Sequence, residues 1–254
     1  MNLIIANWKM NPKSQKKALS LFNSIEKNTK KLSKNTKIVI CPPFIYLPIF
    51  HSRASSITRT DLVMFKLGAQ NCSLEKSGAF TGQVSVEMLK NIGCKYVIIG
   101  HSEAREYLNE TNEIINKKLK AVLKAKLIPI FCVGDKSLRS KKDNKEIQTQ
   151  LKKGLKDISN SKIKNIIFVY EPVWAISSKN GMAATPASAI QGKLLIEKVL
   201  NKQLGKNISN KVLILYGGSA NSKNAGQYIK AGFNGLLVGK ASLNSKEFIK
   251  IIKG

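Results

Sequence analysis

Eight short apolar, β-branched runs recur along the chain: Leu3–Ala6, Lys37–Cys41, Val63–Ala69, Tyr96–Ile99, Ile128–Val133, Ile166–Tyr170, Val212–Tyr216 and Gly235–Val238. The stretches between them carry helical spacing. Ala18, Leu21, Phe22 and Ile25 share one helical face, as do Ile114, Ile115, Leu119, Val122 and Leu123. Ala187–Leu204 reads the same way, with Pro186 at its start. Runs that are apolar throughout, rather than alternating, belong to parallel strands covered on both faces by helices. Eight such units, with no linker or composition break, predict an α/β fold: a single-domain (β/α)8 barrel over residues 1–254. A doubly wound open sheet would share the alternation, but no GxGxxG follows the first run.

Charge narrows the partners. The formal net charge is +28. The basic residues are nearly all lysine, and the four arginines (Arg53, Arg59, Arg105, Arg139) are scattered. Phosphate-backbone and base recognition favour arginine forks, so no specific nucleic-acid partner is expected. Lys, Asn and Ile are over-used together, which points to genome composition, and KSLRSKKDNKE reads as a solvated surface. A positive field still speeds capture of a small anion. The N-terminus, MNLIIANWKMN, is too short in its apolar run for a signal peptide, and no later stretch is long enough to span a membrane. Cys41, Cys72, Cys94 and Cys132 show neither CxxC nor metal-ligand spacing, which predicts buried, reduced thiols in a cytoplasmic protein that holds no metal.

The residues that follow the runs are more telling. Asn7-Trp8-Lys9 follows the first, Gln70-Asn71 the third, His101-Ser102-Glu103 the fourth, Glu171 the sixth, Gly217-Gly218-Ser219 the seventh and Gly239-Lys240 the eighth. In a barrel these ends converge on one face, where active sites are built. One polar residue at a strand end is usually structural; six ends supplying an acid, a histidine, a lysine, amides and glycine-rich turns make a joint signal.

The chemistry can be read from the residue types. Each glycine-rich turn alone needs no more than a positive φ. As neighbouring loops, Gly217-Gly218-Ser219 and Gly239-Lys240 offer bare backbone N–H groups for a phosphate. His101 stands before a helix start, where donor N–H groups disfavour an imidazolium, so a neutral ring is expected to donate to a substrate oxygen. His51, in a helical stretch between Phe50 and Ser52, reads as a buried structural histidine. Lys9 stays charged and stabilises negative charge on that oxygen, and Glu171 is a base. An acid, a neutral donor, a cation and a phosphate clamp suit proton abstraction beside a carbonyl, through an enediolate.

The motifs NWKMN (7–11), GAQN (68–71), SGAFTG (77–82), GHSE (100–103), YEPVWAI (170–176) and YGGS (216–219) occur in an order and spacing that resemble the triosephosphate isomerase family nearly end to end. The resemblance implies interconversion of dihydroxyacetone phosphate and D-glyceraldehyde 3-phosphate, in glycolysis and gluconeogenesis, without metal or cofactor. It implies Glu171 as the base, His101 as the electrophile, and Lys9 and Asn7 as substrate-binding residues. Glu103 supports Lys9 and His101, while Ser219, Gly239 and Lys240 supply phosphate-gripping amides. It further implies a homodimer in which the Gln70–Gln83 loop inserts beside the partner's active site, with Thr81 near its tip. A neutral histidine in this role is likewise what the resemblance to the family implies.

The same resemblance explains the stretch after Glu171. An enediol phosphate eliminates phosphate when exposed, so a lid must exclude water. Pro172-Val173-Trp174 reads as the first hinge and Ala183-Ala184-Thr185 as the second. The lid between them is about two residues longer than the family's usual one, and Ser177 takes the place of its phosphate amide. Lys240 stands where glycine is usual, Asp135 where glutamate is, and Gln83 and Ala104 replace a glutamate and an arginine. Two other readings fit these residues: another phosphate-sugar barrel enzyme, such as a Schiff-base aldolase, and a non-catalytic scaffold binding polyanions through its basic surface.

Overall fold

The computed structural model of the chain describes residues 2–29, 36–56, 65–136, 141–175, 183–205, 209 and 211–254. Within them eight parallel strands pair in sequence order and close on themselves: β1 (Asn2–Asn7), β2 (Thr36–Cys41), β3 (Phe65–Ala69), β4 (Tyr96–Ile99), β5 (Ile128–Val133), β6 (Ile167–Tyr170), β7 (Leu213–Tyr216) and β8 (Gly235–Val238). Closure is made by β1, which pairs with β2 through Ile4↔Ile38 and with β8 through Ile4↔Leu236. Among the described residues a helix follows every strand, so the expected (β/α)8 barrel is the observed one.

Two apolar layers result from the period-2 alternation of each strand. Leu3, Ile5, Val39, Cys41, Tyr96, Ile98, Ile130, Cys132, Ile167, Val169, Leu215 and Leu237 fill the barrel interior. Their neighbours, such as Ile4, Ala6, Phe168, Tyr170, Ile214 and Tyr216, face outward into the layer beneath the helices. Because both faces are buried, the strands read as unbroken apolar runs.

The helices cover that outer layer with the faces their spacing predicts. Helix Gln15–Thr29 buries Ala18, Leu21, Phe22 and Ile25. Helix Asn112–Lys124 buries Ile115, Leu119 and Val122 and starts on Thr111, whose hydroxyl accepts the Ile114 N–H. Helix Pro186–Leu204 is capped by Thr185, which accepts the Ser188 N–H, with proline at its first position. Helix Ser245–Lys253 buries Phe248, Ile249, Ile251 and Ile252, each contributing at most about 1.5–3 kcal/mol.

His51 departs from expectation. It lies in helix Leu47–Ser56 but is exposed. Its ring lies over Gly93, where a Cβ would come within 2.2 Å of Nδ1. The four cysteines are buried and free, as their spacing implied. Burial pushes the Cys72 and Cys94 thiols up to about 12. No helix among the described residues is long and apolar enough to cross a membrane.

Candidate active site

The alternation that fills the barrel also builds the site above it. Carried past the strand ends, the interior parity of β1 falls on Asn7 and Lys9, that of β5 on Gly134, that of β6 on Glu171, that of β7 on Gly217 and that of β8 on Gly239. Trp8, of opposite parity, is fully buried in the outer layer against Phe50. At β4 the parity is broken by Gly100, whose φ of +72° turns the chain as it leaves the strand; His101, which follows, lines the cavity.

Lys9 is held in an unusual way. Its φ is +52°, a left-handed conformation that costs a non-glycine residue roughly 1–3 kcal/mol. Its N–H donates to Asn7 Oδ1 at 3.1 Å, and its carbonyl accepts from Gln70 Nε2 at 2.9 Å. Its ammonium lies 2.6 Å from Glu103 Oε1. It also sits beside the end of β8: a methyl group on Gly239 would be 3.5 Å from Lys9 Cε and 3.9 Å from Nζ.

His101 is itself the cap of helix Ser102–Tyr107. Its Nδ1 accepts the Glu103 N–H at 3.2 Å. A backbone amide can only donate, so Nδ1 carries the lone pair and Nε2 carries the proton. That Nε2 lies 3.2 Å from Glu171 Oε1, though off line for a hydrogen bond. Glu171 is 2% exposed. Its Oε2 accepts the Ser102 N–H at 3.0 Å, and its Oε1 is buried without a hydrogen-bond partner.

A cavity of about 660 Å³ opens at this end of the barrel. It is lined by Asn7, Lys9, His101 and Glu103, by Gly217–Asn221 and by Gly239–Ala241. Glu171 lines a second cavity of about 130 Å³, with Ser102, Arg105, Cys132 and Gly134. The carboxylate thus rests on the Ser102 amide, and the His101 ring beside it lines the larger cavity. Burial lowers Arg105 from its usual value; its guanidinium donates to the Gly100 and Cys132 carbonyls and to Asn112 Oδ1.

At the glycine-rich turns, the Ser219 hydroxyl donates to the Ala175 carbonyl at 2.8 Å, tying the 3₁₀ turn Val173–Ala175 to the turn after β7. Gly239 precedes a short 3₁₀ turn, Lys240–Leu243, closed by Ser242 N–H and Oγ on the Gly239 carbonyl at 2.9 and 2.7 Å. Lys240 is exposed, and neither its N–H nor its ammonium takes part in a hydrogen bond or ion pair among the described residues. Among the described residues no group of three His, Cys, Asp or Glu side chains is arranged to hold a metal ion.

The structure thus brings Asn7, Lys9, His101, Glu103, Ser219, Gly239 and Lys240 around one cavity, with Glu171 against His101. Thr81 lies in an exposed turn and does not line the cavity. Ser177 lies outside the described residues, as does most of the expected lid. Asp135, which stands in the usual place of a glutamate, is fully buried and accepts the Tyr170 hydroxyl at 3.1 Å. Sequence reasoning missed the Ser102 amide as the resting place of Glu171, because a main-chain donor carries no residue signature. It also missed the grip of Gln70 on Lys9, although Gln70 stands at a strand end in a row of polar residues.

Comparison with known proteins bears on this arrangement. A family profile described as triosephosphate isomerase matches residues 2–254. The chain is similar to the triosephosphate isomerase of Dictyoglomus turgidum, 42% identical over 257 aligned positions covering 99% of this chain and 98% of the relative. It is 43% identical to that of Aquifex aeolicus, with 98% of each chain covered, and 40% identical to that of a Clostridium botulinum strain, again with 98% of each covered.

Proposed function

The chain belongs to the triosephosphate isomerase family, and from that premise we propose that it interconverts dihydroxyacetone phosphate and D-glyceraldehyde 3-phosphate by proton transfer through the site described above. Glu171 leaves the Ser102 amide and takes a proton from the substrate carbon next to the carbonyl. His101 Nε2–H donates to the oxygen on which negative charge develops, and the Lys9 ammonium faces the same charge. The enediolate is then protonated at the neighbouring carbon by the carboxyl group formed in the first step, while the hydroxyl proton of the first carbon passes to the former carbonyl oxygen by way of His101 Nε2. Asn7, whose Oδ1 is occupied by the Lys9 N–H, turns its amide NH₂ to the substrate. The backbone amides at Ser219, Gly239 and Lys240 hold the phosphate, and Ser177 adds one from the lid. Glu103 holds Lys9 by charge and His101 by its N–H.

One observation carries this reading: a buried carboxylate with a free oxygen 3.2 Å from a histidine nitrogen that must carry a proton. A Schiff base at Lys9 finds no support, since its ammonium is paired at 2.6 Å with Glu103 and a charged ammonium is no nucleophile. A coupled assay of glyceraldehyde 3-phosphate turnover, without added metal or cofactor, tests the proposal. Turnover lost in Glu171→Asp by about 10²–10⁴-fold supports it, and an inactive wild-type protein refutes it.

The working form in this reading is a homodimer in the cytoplasm. Met10, Ile45, Phe80, Tyr107 and Leu108 are large, apolar and exposed, and all lie in segments that follow β1 to β4. Apolar side chains gathered at one side of the barrel mouth suit a second copy, whose loop would bring Thr81 beside the site.

A further inference from the structure

We propose that Gln70 is a positioning residue for Lys9: its side-chain amide holds the Lys9 backbone in its left-handed conformation and so places the ammonium. This rests on the reading of Lys9 as the cation that faces the substrate.

Lys9 has one local hold, the Asn7 side chain on its N–H. It is not glycine, and its neighbours Trp8 and Met10 carry no turn chemistry. A left-handed non-glycine residue persists when surrounding groups over-determine it. Here the residue is gripped at both ends, by Asn7 on its N–H and by Gln70 on its carbonyl. The same Gln70 nitrogen donates to the Cys41 carbonyl at 2.9 Å, which also accepts the Trp8 N–H at 3.1 Å. Both partners of the Gln70 amide are carbonyl oxygens, so its nitrogen end must face them. One side chain from the end of β3 thereby fastens the chain leaving β1 to the end of β2.

Gln70 is itself fixed by the next residue. Asn71 Oδ1 accepts from Lys118 Nζ at 2.9 Å and from the Cys72 N–H at 2.8 Å, and its Nδ2 donates to Glu110 Oε1 at 2.7 Å. Lys118 and Glu110 form a buried ion pair at 2.5 Å. A compensated pair in a low dielectric is rigid and costly to disturb. The support of the cation therefore runs from helix Asn112–Lys124 through Asn71 and Gln70 to Lys9. If Lys9 relaxed to a negative φ, its Cα–Cβ bond would swing and the ammonium would leave Glu103 and the cavity.

The test is a double-mutant cycle on kcat/KM, with thermal unfolding and circular dichroism alongside. Gln70→Met keeps length and loses both donors; Gln70→Glu keeps the shape and presents acceptors to two carbonyls. Each is made in the native chain and in Lys9→Ala. In the native chain each should lower kcat/KM about 10–100-fold with the fold retained, the scale of a misplacement near 1 Å. In the Lys9→Ala chain each should cost less than about threefold more. Equal losses in both backgrounds, or less than about threefold loss in the native one, would overturn the proposal. If the methionine variant does not fold, the glutamate variant decides alone. A Lys9→Ala protein with unimpaired turnover removes the premise, and is seen before any Gln70 variant is read.

Discussion

A single lone pair decides what His101 can do. With the Glu103 N–H on Nδ1, the ring offers a proton at Nε2 and nowhere else. Glutamine at this position offers a neutral donor of different reach and no imidazole. His101→Gln should therefore lower kcat more than it raises KM, because the bond strengthens as charge develops on the substrate oxygen. Steady-state kinetics in both directions check this, and a pure KM effect speaks against an electrophile. At this scale the sequence was informative where chemistry sits in side chains: Asn7, Lys9, His101 and Glu171 could be picked out as polar residues at the ends of apolar runs. It was silent where chemistry sits in the main chain. The Ser102 amide that holds Glu171 and the left-handed turn at Lys9 depend on backbone placement, which no residue type announces.

Between elements, the ends of β5 and β6 meet without room to spare. A Cβ on Gly134 would stand 1.7 Å from the Glu171 carbonyl oxygen, so the backbone beside the base must shift to admit it. Gly134 N–H and carbonyl are both held by Gln150, at 2.9 and 3.0 Å, which leaves little freedom on that side. Gly134→Ala should destabilise the fold by about 1–3 kcal/mol, the usual cost of overpacking, and lower kcat by displacing Glu171. Thermal unfolding with kcat on the same sample tests this; an alanine variant with native stability and kcat would show that the two ends yield. The strands were legible to within a residue or two because burial on both faces leaves unbroken apolar runs. His51 was misjudged because a helical stretch beside Phe50 does not say which way the ring points; the packing against Gly93 does.

Across the whole molecule, assembly and mechanism are the matters still to be measured. Gln83 is exposed in the single chain and Ala104 has no charge to offer, where the family pattern sets an acid against an arginine. Loss of one charge from a buried pair costs about 3–5 kcal/mol, whereas loss of both is nearly neutral. On the proposed homodimer, sedimentation equilibrium should give a dimer; Gln83→Glu alone should weaken it, and Ala104→Arg in the same chain should restore it. Tighter association in Gln83→Glu, or a stable active monomer, contradicts the paired exchange. The barrel was readable from its eightfold beat, while the exposure of Met10, Ile45 and Phe80 was not, because exposed apolar residues declare themselves only once the chain is folded. The central claim is that a proton travels through Glu171. Isomerisation of glyceraldehyde 3-phosphate in D₂O, followed by proton NMR, tests it most directly. Passage through a carboxylate predicts that part of the dihydroxyacetone phosphate formed carries deuterium at C1, and that Glu171→Asp slows its formation by about 10²–10⁴-fold. Product free of deuterium, formed at an undiminished rate by Glu171→Asp, would contradict it.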